Sequence, residues 1–420
     1  MSLPEIKDKI FQNSDENFHV IEILDAILEN ALFEGASDIH IEPMEKEIFV
    51  RYRIDGILEK EITLPKKLLP ELVERIKILS KLDLDERQKP QNGRFDFKTK
   101  NFNAFVQSSI MPVFYGDKIV LRIFNEANNT TSQKQLGFGK TEMEIINRNI
   151  KKTNGMILVA GRADSGKTTT LYTILNLLNS SEKNICTIED LIEYRIPGVN
   201  QSQINLDANF DYANGLRSFL RQDPDIIMLG EIIDSNTAEI SVHAATTGHL
   251  ILSTLPSKNS EDAISRMLDF GVPSFLLSSA LKMIISQKLC RKICDDCKES
   301  YKLDSKTWSE LKELFDVEQI TEKLKDNNVL KSGDTLESIS YYRGKGCKKC
   351  GGDGFRGRVG IYEILEITDE ICDLISQNQI SLILQKASES KNFLTLAEDG
   401  FIKALKGITT IDEIFNIAKE

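Results

Sequence analysis

Met156-Ile-Leu-Val-Ala-Gly-Arg-Ala-Asp-Ser-Gly-Lys-Thr-Thr-Thr-Leu-Tyr172 decides the fold of this 420-residue chain. Met156 to Ala160 is a short unbroken apolar run, the pattern of a buried parallel strand. Gly161-Arg-Ala-Asp-Ser-Gly-Lys-Thr168 fits G-x-x-x-x-G-K-[ST], and Thr169 to Leu178 reads as a helix. Strand, glycine-bounded loop and helix in that order is the context a phosphate-binding loop needs. Successive N–H groups of such a loop cradle phosphate oxygens at the helix N-terminus. The residues expected around the phosphates are Gly161, Arg162, Asp164, Ser165, Gly166, Lys167, Thr168 and Thr169. Lys167 would reach the β- and γ-phosphates, and Thr168 would ligate Mg²⁺.

Working outward, 420 residues exceed one usual core, so at least two domains are expected. Lys+Arg 53 against Asp+Glu 64 gives a net charge of -11, which argues against bulk electrostatic binding to nucleic acid. No apolar run approaches a membrane span, and Met1 to Ile10 is too charged for a signal peptide, so a cytoplasmic protein is expected.

Upstream, Phe18 to Phe33 and Leu68 to Leu82 have helical apolar spacing. Ile39 to Ile41, Glu47 to Ile54, Ile57 to Ile62, Phe95 to Phe97, Asn101 to Ser109 and Lys118 to Phe124 complete an α+β domain over residues 1–125, with a turn at Asp55-Gly56. The polar run 126–135 reads as a linker. From 136 to 289, strands at Ile185 to Ile188, Asp225 to Glu231 and Leu250 to Leu255 alternate with helices such as Phe210 to Gln222. That predicts a doubly wound parallel α/β sheet with ligand groups at the strands' carboxyl ends. Lys298 to Gly344 reads as a charged, irregular insertion within 290–362. Residues 363–420 read as helical.

Glu231 ends a buried strand beyond the loop, where nucleoside triphosphatases place a water-activating or Mg²⁺-linked acid. An acid capping the next helix, Thr237 to Ala245, is the plainer alternative. Glu189, Asp190 and Glu193 form a second acidic group after a second strand. Arg217 and Arg221 lie one helical turn apart and serve either as phosphate-sensing cations or as partners for nearby acids. His249 precedes a strand, a place where a lone histidine is usually structural.

Cys294-Asp-Asp-Cys297 and Cys347-Lys-Lys-Cys350 are two C-x-x-C pairs, and tetrahedral S₄ coordination of Zn²⁺ uses two such knuckles. Four thiolates leave no open position, so the site is expected to be structural. Cys186, Cys290 and Cys372 read as buried fillers. Around the second knuckle, Arg343, Lys345, Lys348, Lys349, Arg356 and Arg358 oppose a lone Asp353. These cations either stabilise the thiolates and face solvent, or form a docking surface for an acidic partner or anionic lipid.

These residues together resemble the assembly ATPases of type II secretion and type IV pili, from about Ala36 to the C-terminus. Ala36-Ser-Asp-Ile-His-Ile-Glu-Pro43 and Val50-Arg-Tyr-Arg-Ile-Asp-Gly56 look like that family's N-terminal domain. Gly161 to Tyr172 looks like its Walker A and Thr187-Ile-Glu-Asp-Leu-Ile-Glu-Tyr194 like its Asp box. Leu220-Arg-Gln-Asp-Pro-Asp-Ile-Ile-Met228 with Gly230-Glu231 looks like its Walker B, and Thr247-Gly-His-Leu-Ile-Leu-Ser-Thr254 like its His box. Gly357-Arg-Val-Gly-Ile-Tyr-Glu363 follows the second cysteine pair as in the family.

The resemblance implies a RecA-like ATPase domain preceded by a PAS-like α+β domain, assembled as a homo-hexamer that hydrolyses ATP with Mg²⁺. It implies catalytic roles for Glu231, Glu193, Glu189, Lys167, His249, Arg217, Arg221 and, from the N-terminal domain, Arg94. It implies Zn²⁺ on Cys294, Cys297, Cys347 and Cys350. Its setting is cytoplasmic, bound peripherally to the inner membrane through platform and docking proteins, with no nucleic-acid partner. The tetracysteine favours the secretion and pilus-extension members over retraction motors. Four departures stand out: Arg162-Ala163-Asp164 replaces Pro-Thr-Gly, Gln107 and Ile233 replace arginines, and Pro256 replaces a histidine. They leave a nucleotide-binding scaffold with little hydrolysis as one alternative to the motor; a nucleic-acid translocase, which shares the phosphate-loop core, is another. The family's earlier docking domain is expected to be absent or removed.

Overall fold

The computed structural model describes residues 20–125, 136–331 and 333–419. The expected linker 126–135 and the first residues of the Phe18 to Phe33 helix lie outside the described residues. The chain divides into two compact units, Met1–Thr130 and Thr131–Glu420.

In the first unit, β1 (Asp38–Pro43), β2 (Glu47–Ile54), β3 (Ile57–Pro65), β4 (Gln91–Lys98), β5 (Asn103–Val113) and β6 (Gly116–Asn125) form one sheet in the order β3-β2-β1-β6-β5-β4. Every pairing is antiparallel. Asp55 and Gly56 both take positive φ (48° and 90°), the geometry of a tight hairpin whose twist matches its strands. Helices Val20–Glu34 and Leu69–Ser80 cover one face with Ile23, Leu24, Ile27, Leu72 and Ile76. Tyr52, fully buried beneath them, donates its hydroxyl to the Ile27 carbonyl at 2.8 Å.

The second unit is built on β7 (Gly155–Ala160), β8 (Ile185–Glu189), β9 (Asn200–Gln203), β10 (Ile226–Leu229), β11 (Leu250–Leu255), β12 (Leu281–Ile293) and β15 (Phe355–Glu366). Their order is β15-β12-β7-β11-β10-β8-β9, parallel from β12 to β9. β15 closes the edge antiparallel to β12. Helices cover both faces. On one, Leu171, Ile174 and Leu175 of helix Lys167–Leu178 pack on Ile157 and Val159. On the other, helices Tyr212–Phe219, Ser235–Thr246 and Ser260–Asp269 pack on Met156, Leu158 and Ala160. The doubly wound reading therefore holds, with three more strands, β9, β12 and β15, than the sequence suggested.

β12 and β15 run across both expected boundaries, 289/290 and 362/363, so the cysteine region grows directly out of the parallel sheet. The expectation of an irregular insertion at 298–344 is corrected. It contains helices Ser305–Leu314 and Val317–Asp326 and the two-stranded sheet of β13 (Lys298–Tyr301) and β14 (Tyr341–Gly344). Leu311, Ile320, Leu324, Leu336 and Tyr341 bury a core of their own against Phe401, Ile402 and Phe415 of the C-terminal helices.

Candidate nucleotide and metal sites

The phosphate loop leaves the carboxyl end of β7, where Gly161 N–H donates to Leu255 O at 3.3 Å. Gly166 sits at φ 85°, the left-handed region, and caps helix Lys167–Leu178 without any side-chain hydrogen bond. The first-turn amides of a helix have no intrahelical acceptor, so they stay available to an anion. Lys167 Nζ folds back on Arg162 O at 2.8 Å. Burial lowers the Lys167 pKa, while Glu231 and Asp164 pull it back up. Ser165 Oγ is buried and has no hydrogen-bond partner among the described residues. Uncapped amides, a lysine at the rim and an unpartnered buried hydroxyl fit a polyphosphate. Thr168, half-buried in the first helical turn, is the residue that would hold Mg²⁺ if one accompanies the phosphates. Arg162 and Asp164 are exposed, and Asp164 adopts φ 60° where the resembled family has glycine.

Glu231 follows β10, two strands from β7, and faces the Lys167 ammonium electrostatically. Gly230 accepts from Thr254 Oγ1 at 2.6 Å and Ile232 N–H donates to Thr254 O at 3.0 Å, which fixes the Glu231 backbone against β11. Glu189 ends β8, buried, and accepts from Tyr172 Oη, Thr187 Oγ1 and Gln201 Nε2. Burial raises its pKa, and those three donors oppose the rise. Its oxygens are engaged by its own surroundings. Glu193, four residues on, is half-buried beside Tyr194.

Within this unit, His249, Arg217 and Arg221 are not gathered at this loop. His249 precedes β11, whose Leu250–Leu255 run in register with Gly155–Ala160. It therefore lies at the amino end of the sheet, six paired positions or roughly 20 Å from Gly161. Its Nδ1 meets Ala244 O at 3.2 Å. Arg217 and Arg221 extend from the face opposite the phosphate-loop helix. Arg217 donates to Asn236 Oδ1 at 2.7 Å, and Arg221 to Arg217 O at 3.0 Å. Arg217 also lines an open groove of about 290 Å³ with Leu220, Ile240 and His243.

In the first unit, Arg94 on β4 lies opposite Gln107 on β5, and Gln107 lies opposite Arg122 on β6. Directly opposed residues share a sheet face, so the uncharged Gln107 is flanked by two arginines. Arg122 Nε also donates to Asp38 Oδ1 at 2.9 Å. Sequence reading missed Arg122, because only the strand register brings it to that row.

The four cysteine sulfurs converge within 4.8 Å of one another. Cys294–Cys347, Cys297–Cys350 and Cys347–Cys350 are 3.8, 3.9 and 3.7 Å apart, and no disulfide joins them. A tetrahedron with Zn–S of 2.3 Å has edges of about 3.75 Å, so the set fits zinc. Gly344 and Gly354 make the turn possible: a Cβ on Gly344 would lie 2.0 Å from Gly354 O. Burial raises the Cys350 thiol, but N–H donors of Cys347, Gly352 and Gly354 outweigh it and bring it to about 6. The cationic excess expected here shrinks across the fold. Lys349 pairs with Asp296 at 2.6 Å and Arg343 with Glu299 at 3.0 Å, both acids coming from beside the first knuckle.

A family model described as "Type II/IV secretion system protein" matches residues 13–416. The chain belongs to this family. It is 38% identical over 418 residues to the type II secretion system ATPase E of Vibrio cholerae, covering 100% of this chain and 78% of that protein. It is 39% identical to the type IV pilus assembly ATPase PilB of Thermus thermophilus, over 92% of this chain and 42% of that one. Among solved structures, the Legionella pneumophila ATPase DotB superposes with a TM-score of 0.66 at 19% identity, over 97% of this chain and 98% of that one. The ADP-bound pilus retraction motor PilT gives 0.62 at 24% identity, over 94% and 97%. At those identities the two structures speak for the fold alone.

Proposed function

We propose that this chain hydrolyses ATP with Mg²⁺ to power assembly of pilin-like subunits in a type II secretion or type IV pilus machine. The observation that carries the reading is the phosphate loop facing a strand-end acid, Lys167 toward Glu231, in a chain matching secretion ATPases over its whole length. Mg²⁺, when bound, would neutralise phosphate charge beside Thr168. Lys167 leaves the Arg162 carbonyl to bind the β- and γ-phosphates, and the loop amides hold them in place. Glu231, on a backbone fixed by Thr254, accepts the proton of the attacking water. Glu193 orients that water from the neighbouring strand end, and Glu189 braces the Asp box through Tyr172.

Arg217, Arg221 and His249 stand away from their own loop, so they act on a neighbouring copy, and Arg94 acts through the first unit. This supports a homo-hexamer over a lone chain. Zn²⁺ on the four cysteines has a structural role. The motor works in the cytoplasm against inner-membrane platform and docking proteins, with no nucleic-acid partner. Steady-state phosphate release with Mg²⁺, without DNA, tests the reading. Release that is absent in a confirmed oligomer would favour the scaffold, to which Asp164 and Ile233 point. Stimulation by DNA would favour the translocase.

A further inference from the structure

The strand beside the phosphate loop carries a residue that no motif reading singles out. Gln287 lies on β12, one position past the Ser286–Ala160 pairing with β7. Its side chain is almost fully buried and makes two short hydrogen bonds. Amide Nε2 donates to Ser165 O at 2.6 Å, and amide Oε1 accepts from Thr170 Oγ1 at 2.7 Å. One side chain thus bridges the two ends of the segment Gly166 to Thr169, whose N–H groups must face the phosphates.

β12 is also the wall against which both glycines of the loop press. A Cβ on Gly161 would meet Gln287 O at 2.7 Å, and one on Gly166 would meet Gln287 Nε2 at 3.2 Å. The peptide between Ser165 and Gly166 can turn two ways. With its carbonyl toward the ligand it repels phosphate oxygens, and with its N–H toward the ligand it binds them. The donor from Gln287 holds the carbonyl away. No side chain caps the helix that follows, so no capping hydrogen bond holds this orientation.

We propose that Gln287 is a positioning residue for nucleotide binding, which locks the Ser165–Gly166 peptide with its N–H toward the phosphates. The proposal rests on the ATP-binding reading above. It makes an unusual demand of the isosteric variant Gln287→Glu. An ionised carboxylate still accepts from Thr170 but sets an oxygen against the Ser165 carbonyl, and the peptide turns over. A protonated one regains the O–H donor. A carboxyl buried here titrates above its ordinary value, so lowering the pH should restore the lock.

The test is binding of a fluorescent ATP analogue with Mg²⁺ to the full chain at pH 8 and pH 6, each variant expressed relative to wild type at the same pH. Loss of one buried hydrogen bond with an unsatisfied partner corresponds to about tenfold in affinity. Gln287→Glu should bind about tenfold more weakly at pH 8 and recover most of that at pH 6. Gln287→Met, isosteric without a donor, should be weak at both. Melting temperatures without nucleotide separate binding from folding. Equal binding by Gln287→Glu at pH 8, or a loss that pH does not change, overturns the proposal. If that variant does not fold, wild-type affinity in Gln287→Met overturns it. A wild-type chain that binds no ATP would instead remove the functional reading on which it rests.

Discussion

Replacing Cys297 with alanine tests the metal centre most sharply. The observed sulfur separations of 3.7 to 3.9 Å already match a ZnS₄ tetrahedron, so little rearrangement accompanies binding. Structural zinc contributes on the order of 10–16 kcal/mol in small zinc modules. An equal share per thiolate makes one ligand worth about 3 kcal/mol, or more than a hundredfold in affinity. Wild-type protein should carry one zinc per chain by elemental analysis and keep it against a moderate chelator. Cys297→Ala should lose it. Hydrogen exchange should then rise in β13 and β14, which lead from one knuckle and into the other. It should stay low in β7 and β10, which are completely buried in the sheet. Zinc-free protein from a fresh preparation, or a variant that holds zinc as tightly as wild type, would refute the reasoning.

Three further outcomes follow from the sites. Lys167→Ala should abolish phosphate release, whereas Glu231→Gln should retain ATP by equilibrium binding and hydrolyse it slowly. Ile233 is 53% exposed two residues beyond Glu231, and a cation near transferring phosphoryl oxygens is worth on the order of a thousandfold. Ile233→Arg should therefore raise kcat with little change in ATP affinity, and an unchanged kcat in a confirmed oligomer would show that position 233 does not reach the phosphates. Hydrogen bonding from Arg148 holds the Glu366 carboxyl below its ordinary value of 4.5. Its contribution to stability is thus full above that value and disappears as pH falls through the lower folded value. The melting temperature of Glu366→Gln should match wild type in strong acid and fall below it near neutrality.

What the sequence made legible was local. The phosphate loop is eight contiguous residues, and the cysteine pairs announce themselves by spacing. β12 escaped because Lys282 breaks its apolar start, leaving only Met283 to Ile285 as a run too short to tell strand from helix, and its second half is basic. The insertion looked irregular because Lys and Glu dilute the helical spacing that Ile320 and Leu324 nevertheless keep. The basic knuckle was overcounted for a different reason. Asp296 and Glu299 are about fifty residues away along the chain and meet Lys349 and Arg343 only once the knuckles close. Arg122 and Gln287 share that character: register creates the first neighbourhood and sheet order the second.

The placement of Arg217 leads to the last prediction. Its helix packs on Met156, Leu158 and Ala160, whereas the phosphate-loop helix packs on Ile157 and Val159, so the sheet separates the two within one chain. A cation that contributes to hydrolysis from that face must do so on a neighbouring copy. Repetition of such a heterologous contact builds a ring where its rotation closes. Lys167→Ala and Arg217→Ala should then each be inactive alone. Each lacks what the other keeps, so mixed rings contain some interfaces with an intact loop and an intact arginine. With equal, random mixing, one interface in about four qualifies, so activity should return to about a quarter of the wild-type value. Size-exclusion chromatography of differently tagged variants would establish that mixed assemblies form. Mixed assemblies that remain inactive would show that Arg217 serves only its own chain, through Asn236, and would remove the main structural support for shared sites.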